Sequence, residues 1–590
     1  MVGAWVVGLR GRDDAMRQAQ VVVIGGGATG TGVARDLALR GISVILVEKD
    51  GLASGTTGRC HGLLHSGARY AVEDPEAAAE CIAENRVLKR IGNGCVEDVG
   101  GLFVALSEED LAYLERLKGA LSSVGVPYRE LSAEEVLREE PSVSRRTAGG
   151  LGVPDAAVDP FQLVEANALD ATRHGAVILA HHALVGFDVD RNGHISAVAV
   201  RAPDGTQERI ACDVVVNASG SWSMKVLRLL GLTLELVQAK GALIVYNRRL
   251  TRHVINRCRW PGDGDIVVPA DTVTVVGTTS VVVPDPESRS YSVTDSEVAL
   301  LVREGGIMVP ELGQARIIRA FAGVRPLANI PAPGAAVTAG GGRDVTRRHV
   351  LVDHGAYGGP PNIVTIIGGK LTTYRLMAEE TADWVSERLH LETAATTANR
   401  PLPDVRPRSR RRSAAVAARP GVHDGLSGGA AEIAHGTGLI CECERVDEED
   451  LGRALREGDA VASIDDARRR LRTGMGPCQG TFCAPRVAAR LYEAPAATGA
   501  SKSTPESKGD GERAEGAELI LDFLNGRLRG QRAVLWGEQL KQAAFARQLY
   551  SALHNLDDFA GRIARSGGDG VGLEARPGGE GGKGDAGSQR

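Results

Sequence analysis

Nine cysteines are spread unevenly along the 590 residues. Cys60, Cys81, Cys95, Cys212 and Cys258 stand apart. Cys441 with Cys443, and Cys478 with Cys483, form a C-x-C and a C-x4-C pair separated by 34 residues. Four thiolates so spaced suit a metal centre. Zinc ribbons and knuckles generally use C-x2–4-C at both ends, so the C-x-C half speaks for a [2Fe–2S] centre, with zinc and disulfides as the alternatives. Gly474, Gly476 and Gly480 flank the thiols and are expected to let backbone N–H groups approach sulfur. A second chemical signature lies near the start. Val21-Val-Val-Ile-Gly25-Gly26-Gly27-Ala28-Thr29-Gly30 fits G-x-G-x-x-G, and Glu48 follows 23 positions after Gly25. Gly25 allows the turn, Gly27 lets a pyrophosphate approach the backbone, and Gly30 lets the helix pack closely. Free N–H groups at the helix start favour phosphate, and Glu48 can accept from ribose hydroxyls.

These groups need elements to hold them. Residues 20–24 and 43–47 are β-branched runs, and 28–40 have helical periodicity, which together predict the opening of a parallel α/β sheet. Further strands are expected at 196–201, 213–217, 242–246, 266–268, 274–276 and 362–367. Ser107 with Asp110 and Ser132 with Glu135 mark helix starts. Residues 447–457 and 464–471 read as two short helices between the cysteine pairs. Cys60 reads as a small buried side chain rather than a redox thiol.

Composition narrows the function class. Hydrophobic residues make up 43% and charged residues 24%, so most of the chain can bury a core. The net charge of −5 and the pI near 6.3 lack the basic footprint of a nucleic-acid protein. Mean hydropathy is −0.10, and no run of 18 apolar residues predicts a spanning helix. No secretory leader is evident, and an odd cysteine count then reads as a reducing compartment. Residues 1–18 read as a short extension, with Met16 an alternative start. The expected division is an oxidoreductase unit at 19–400, a linker at 401–435, a cysteine domain at 436–492, a flexible tether at 493–514, a helical segment at 515–562 and a disordered tail at 563–590. The basic run 408–412 reads as part of the linker, with an anionic membrane surface as the lesser alternative.

Several segments distinguish a flavin from a nicotinamide site. Leu52-Ala-Ser-Gly-Thr-Thr-Gly-Arg59 follows the second strand, then His61-Gly-Leu-Leu-His65-Ser-Gly-Ala-Arg69-Tyr70. Val214-Val-Val-Asn-Ala-Ser-Gly220 and Ile366-Ile-Gly-Gly-Lys370-Leu-Thr-Thr-Tyr374 are strands running into glycine turns. Together with Phe321-Ala-Gly-Val-Arg325-Pro326 and Thr346-Arg347, this order over about residues 20–390 resembles the FAD-dependent glycerol-3-phosphate dehydrogenases. The cysteine module resembles the bacterioferritin-associated-ferredoxin type and points to the family's anaerobic branch, in its A-type subunit, as does Ala533-Val-Leu-Trp536-Gly-Glu-Gln-Leu540.

The resemblance implies a Rossmann-like FAD-binding domain interleaved with a mixed-sheet substrate domain, then a small α-rich [2Fe–2S] domain and a helical C-terminal segment. It implies FAD contacts from Gly25, Gly26, Gly27, Thr29, Gly30, Glu48, Lys49, Thr56, Thr57, His61, Leu63, Ala218, Gly220, Gly369, Lys370, Leu371 and Thr372. It implies a glycerol 3-phosphate pocket of Arg69, Tyr70, Arg325, Arg347, Lys370 and Thr373, with cluster ligands Cys441, Cys443, Cys478 and Cys483. Arg325, His65 and Lys370 form the expected catalytic set. His65 has the unperturbed pKa suited to a base, and Arg325 suits a developing alkoxide. The loop Gly58-Arg59-Cys60-His61 departs from aerobic relatives, which carry small hydroxyl residues and a lysine there. The implied partners are a membrane-anchoring iron–sulfur subunit with a second subunit, which together pass electrons to quinone, leaving the chain cytoplasmic and peripheral. A 2-hydroxy-acid or amino-acid oxidase, or a non-enzymatic electron-transfer scaffold, remain the rival readings.

Overall fold

The computed structural model describes residues 16–284, 292–328, 346–407, 438–456, 461–493 and 510–534, with Phe545 and Gln548. The basic run at 408–412 and the tail at 563–590 lie outside them.

The strands Val21–Ile24 and Val44–Val47 are buried along their whole length, as strands covered on both faces must be. They lie at the heart of a six-stranded sheet. Its order is Val177–Leu179, Val44–Val47, Val21–Ile24, Val214–Asn217, Ile363–Gly368 and His349–Asp353. All neighbours are parallel except the last pair. The helices Ala28–Leu39, Pro160–Arg173 and Tyr374–Arg388 cover one face and share one core. The other face packs on a four-stranded sheet that includes Arg17–Gln18, so the paired chain begins inside the expected extension 1–18. A buried ion pair of 2.8 Å, Arg35 with Asp170, ties two of the covering helices together. Removing one partner of such a pair costs ~3–5 kcal/mol.

A nine-stranded mixed sheet forms the second layer. Its two longest strands, Leu236–Tyr246 and Ile317–Ala328, pair antiparallel throughout and bring Arg325 opposite Ala239. The first of these was expected only over 242–246. Its extension carries Gln238 and Lys240, which lie outside the expected strand. In the fold, Lys240 is buried against Glu297 at 2.8 Å. Glu297 also closes a capping box with Thr294, and Ser132 with Glu135 forms a second. Ser107 caps the helix Glu108–Val124 by accepting from Asp110 N.

The cysteine module is a hairpin, Leu439–Cys441 with Val446–Asp447, and three helices, Glu448–Arg456, Ile464–Leu471 and Cys483–Glu493, around one apolar core. The helix Asp510–Arg532 begins inside the stretch expected as a tether. It is anchored at its middle and near its C-terminal end. Phe523 packs where a Cβ on Gly480 would stand, and Gly530 sits against Arg319 of the long strand. A turn follows at Ala533–Val534, and of the rest of the expected helical stretch 515–562 all but Phe545 and Gln548 lies outside the described residues.

Candidate functional site

The glycine turn opens a cavity of about 1480 Å3. That exceeds the ~300–1,000 Å3 usual for one small ligand and leaves room for a dinucleotide and a substrate together. Gly25 has φ +112°, and a Cβ there would lie 2.6 Å from Ala218 O. A Cβ on Gly30 would lie 1.9 Å from Gly25 O. Around Gly27 only the Thr57 hydroxyl comes near, so the backbone faces open space where a pyrophosphate would approach. Thr57 Oγ1 also accepts from Ala28 N at the helix start (3.1 Å), and Thr56 Oγ1 donates to Val324 O (2.7 Å). Both Glu48 oxygens accept backbone hydrogens, from Gly26 N (2.7 Å) and Asp50 N (2.9 Å), and burial pushes the carboxyl pKa upward. Only its remaining lone pairs are left for the ribose hydroxyls Glu48 was expected to meet. Lys49 lies 4.4 Å over the Trp222 ring. Gly26, Thr29, Leu63, Ala218, Gly220, Gly369 and Leu371 also line the cavity.

The cavity's other end is cationic. His61, His65, Arg69, Tyr70, Arg325, Arg347 and Lys370 all line it, although some 300 residues separate the first from the last. Arg69 is held by Gly262 O (3.1 Å) and Asp265 (3.3 Å). Arg325 donates to Thr278 Oγ1 and Thr279 O. Lys370 Nζ donates to Arg347 O (2.9 Å) and lies 4.8 Å over the Tyr70 ring. Tyr70 in turn meets His65 edge-on, with ring centroids 5.2 Å apart. Burial first, then the neighbouring His61, Lys370, Arg69 and Arg347, holds the His65 pKa well below that of a free imidazole. Burial together with Arg325 and Arg69 takes His61 down to about 3. Both rings are thus neutral proton acceptors at pH 7.

Three expected contacts are corrected. Gly30 does not line the cavity and instead packs against Gly25 O. Thr372 and Thr373 are fully buried and do not line the cavity. Thr372 Oγ1 accepts from His65 N (3.0 Å), and Thr373 Oγ1 accepts from Lys370 N (3.2 Å). Their hydroxyls aim His65 and Lys370 rather than meeting a ligand. Cys60, expected as buried, lines the cavity, and burial lifts its thiol to about 11. Sequence reasoning missed Trp222, Trp260 and Asp265. The only signal was their setting beside Gly220 and in Trp260-Pro-Gly262.

The four late thiols are free and form two hydrogen-bonding pairs, Cys441 with Cys483 and Cys443 with Cys478. Among the described residues, no three His, Cys, Asp or Glu side chains converge as a single ion would need. Two pairs of thiols are the donor set of a [2Fe–2S] centre, two per iron. The Cys483 thiol and the N–H groups of Gly474 and Glu444 draw Cys441 down to about 6, while Cys483 is pushed up. A Cβ on Gly476 would lie 2.5 Å from Cys443 Cβ, so close approach to that cysteine requires glycine. Gly480 serves a different purpose from the one expected, since its open face admits Phe523.

Comparison with known proteins agrees with this geometry. Residues 20–375 match the family model described as FAD dependent oxidoreductase, and residues 439–493 match the BFD-like [2Fe-2S] binding domain. The A-type subunit of the anaerobic glycerol-3-phosphate dehydrogenase of Escherichia coli (strain K12) is 40% identical over 556 residues, covering 92% of this chain and 98% of that protein. The corresponding A1-type subunit of Haloferax volcanii is 39% identical over 570 residues, covering 92% of each. Among solved structures, a glycerol-3-phosphate dehydrogenase from Bacillus halodurans complexed with FAD shares the fold, with a TM-score of 0.60 at 19% identity over 89% of this chain and 97% of that one. With a dinucleotide turn, a cationic pocket and a paired-thiol module in one chain, the protein belongs to the FAD dependent oxidoreductases, and within them to the A-type subunits of the anaerobic glycerol-3-phosphate dehydrogenases.

Proposed function

We propose that the chain oxidises sn-glycerol 3-phosphate to dihydroxyacetone phosphate and sends the electrons through its thiol module to partner subunits and quinone. The observation that carries this reading is the convergence of Arg69, Arg325, Arg347 and Lys370 with neutral His65 on the cavity of the dinucleotide turn. FAD, when bound, supplies the acceptor for the C2 hydride, and the [2Fe–2S] centre supplies a one-electron exit.

Arg69, Arg347 and Lys370 hold the substrate phosphate by charge-assisted bonds worth roughly 1.5–3 kcal/mol each. A ring nitrogen of His65 accepts the C2 hydroxyl proton as the C2 hydrogen leaves with two electrons and the carbonyl forms. The guanidinium of Arg325 stabilises the developing alkoxide. The phosphate dianion raises the proton affinity of His65 when it binds, which couples substrate capture to base strength. Cys441, Cys443, Cys478 and Cys483 ligate the cluster. The unit spanning 19–400 carries the chemistry and 436–492 the exit. No described helix is long and apolar enough to cross a membrane, and in this reading the chain reaches the membrane's inner face through its partners.

Anaerobic mixing with glycerol 3-phosphate tests the proposal. Flavin bleaching followed by an EPR-active reduced cluster is expected. Bleaching by 2-hydroxyglutarate alone would transfer the chain to the hydroxy-acid oxidases, and a flavin that no substrate bleaches would leave an electron-transfer scaffold.

A further inference from the structure

Arg472 is a buried cation that neither the cavity nor the thiol site uses. It caps the helix Ile464–Leu471 with φ +65°, a left-handed position that ordinarily takes Gly or Asn. A branched cation persists there because its side chain has work that glycine cannot do. Its guanidinium reaches carboxylates on three separate segments: Asp159 at 2.6 Å, Glu444 at 2.9 Å and Asp271 at 3.6 Å. This guanidinium joins the thiol hairpin to both large layers of the molecule.

Each of the three carboxylates leads somewhere. Glu444 follows Cys443 in the chain, and its backbone N–H bonds the Cys441 sulfur. Its second oxygen accepts from Thr272 Oγ1 at 3.2 Å, beside Asp271 in the substrate-domain hairpin. Asp159 caps the helix Pro160–Arg173 by accepting from Phe161 N and Gln162 N. Phe161 packs so close to the cavity loop that a Cβ on Gly58 would lie 2.7 Å from its ring. One side chain thus links the loop that lines the dinucleotide cavity to the peptide that carries two of the thiols. The flanking pairs, Arg470 with Glu165 (2.8 Å) and His181 with Asp466 (3.2 Å), lie in the same seam. Arg470 also donates to Ala454 O within the module (3.3 Å), whereas Arg472 spans three carboxylates.

We propose that Arg472 is a positioning residue that fixes the thiol module against the flavin cavity and thereby sets how fast electrons cross between them. The inference rests on the electron route proposed above. Two electrons leave each substrate molecule and cross the seam one at a time, with quinone as final oxidant. Transfer between two centres weakens steeply with separation, so a module that rocks on its seat passes electrons slowly.

The test uses the full chain loaded with FAD and cluster, mixed anaerobically with glycerol 3-phosphate. In Arg472→Met, flavin bleaching and its substrate dependence stay as in the wild type, while cluster reduction slows by about tenfold or more. Arg472→Asn accepts the left-handed backbone yet lacks the clamp, and must slow to the same degree. Arg472→Lys, which can hold one carboxylate at a time, falls between. Hydrogen exchange on the protein without cofactors gives an independent reading, with faster exchange expected in Arg472→Met at 266–272 and 439–447. Wild-type cluster reduction in Arg472→Met overturns the proposal. If that variant fails to retain its cluster, Asp271→Asn decides: slower cluster reduction supports the clamp, and an unchanged rate sinks it. A wild-type protein whose bleached flavin never reduces the cluster would instead overturn the electron route itself.

Discussion

The flavin cavity and the thiol module solve opposite problems. The cavity gathers cations from segments that are remote in the chain, with Arg69, Arg325 and Lys370 converging through two different sheets. The thiol module gathers incipient anions within one stretch of 55 residues, 439–493. In the cavity, burial first and then the crowded cations hold the histidines neutral. In the module, thiol–thiol bonds and backbone N–H groups favour the first thiolate. The contrast teaches that a substrate site of this kind depends on the whole fold, whereas a metal module carries most of its instructions locally.

The sharpest way to break this contrast is to remove each cofactor site separately. Gly30→Val should abolish flavin binding, because its Cβ meets Gly25 O at 1.9 Å, while the cluster's visible spectrum survives. Cys478→Ser should do the reverse, leaving flavin bleaching by glycerol 3-phosphate but no cluster signal. Loss of both cofactors in either variant would show that the two regions fold as one. A smaller effect is expected inside the cavity. Arg69→Ala should raise KM for glycerol 3-phosphate by about 10- to 100-fold, from the loss of one charge-assisted phosphate contact. Thr373→Ala should leave KM near the wild-type value, since its hydroxyl serves Lys370. Equal effects from the two would return Thr373 to the substrate pocket.

The smallest effect concerns pH. The folded pKa of His61 lies near 3, below the ordinary 6.5, so below pH 6.5 the unfolded chain binds the proton that the folded one refuses. The stability this confers is complete above pH 6.5 and is lost as pH falls towards 3. Between pH 7 and 5, His61 alone should cost about 2 kcal/mol, read as a falling Tm of the protein without cofactors. His65 is shifted in the same direction and adds to the loss. His61→Asn should flatten part of that slope. An unchanged slope would mean that the cavity does not hold its imidazoles neutral.

Much of the fold was legible from residue order. The β-branched runs at 20–24 and 43–47 became central strands because burial on both faces selects continuous apolar residues. The helix at 464–471 appeared at its expected limits because Ser463 caps it and its acidic and basic ends match the helix dipole. Reading failed where polar residues were buried in pairs. Lys240 fell outside the expected strand, and its burial depends on Glu297, 57 positions away. Thr372 and Thr373 looked like ligand contacts because a hydroxyl near a glycine turn does not reveal which way it points. The helix at 510–532 was expected from 515, and only its opening residues 510–514, polar or small, read as tether.

Spacing by itself determined the dinucleotide turn and the four-thiol set, since both depend on backbone geometry within a few residues of glycine or cysteine. The meeting of Arg69, Arg325 and Lys370, and the seating of the thiol module by Arg472 on Asp159 and Asp271, were decided only by the folded chain. Charge acts through space rather than along the sequence, and the partners that neutralise or crowd a buried group are chosen by sheet pairing and packing.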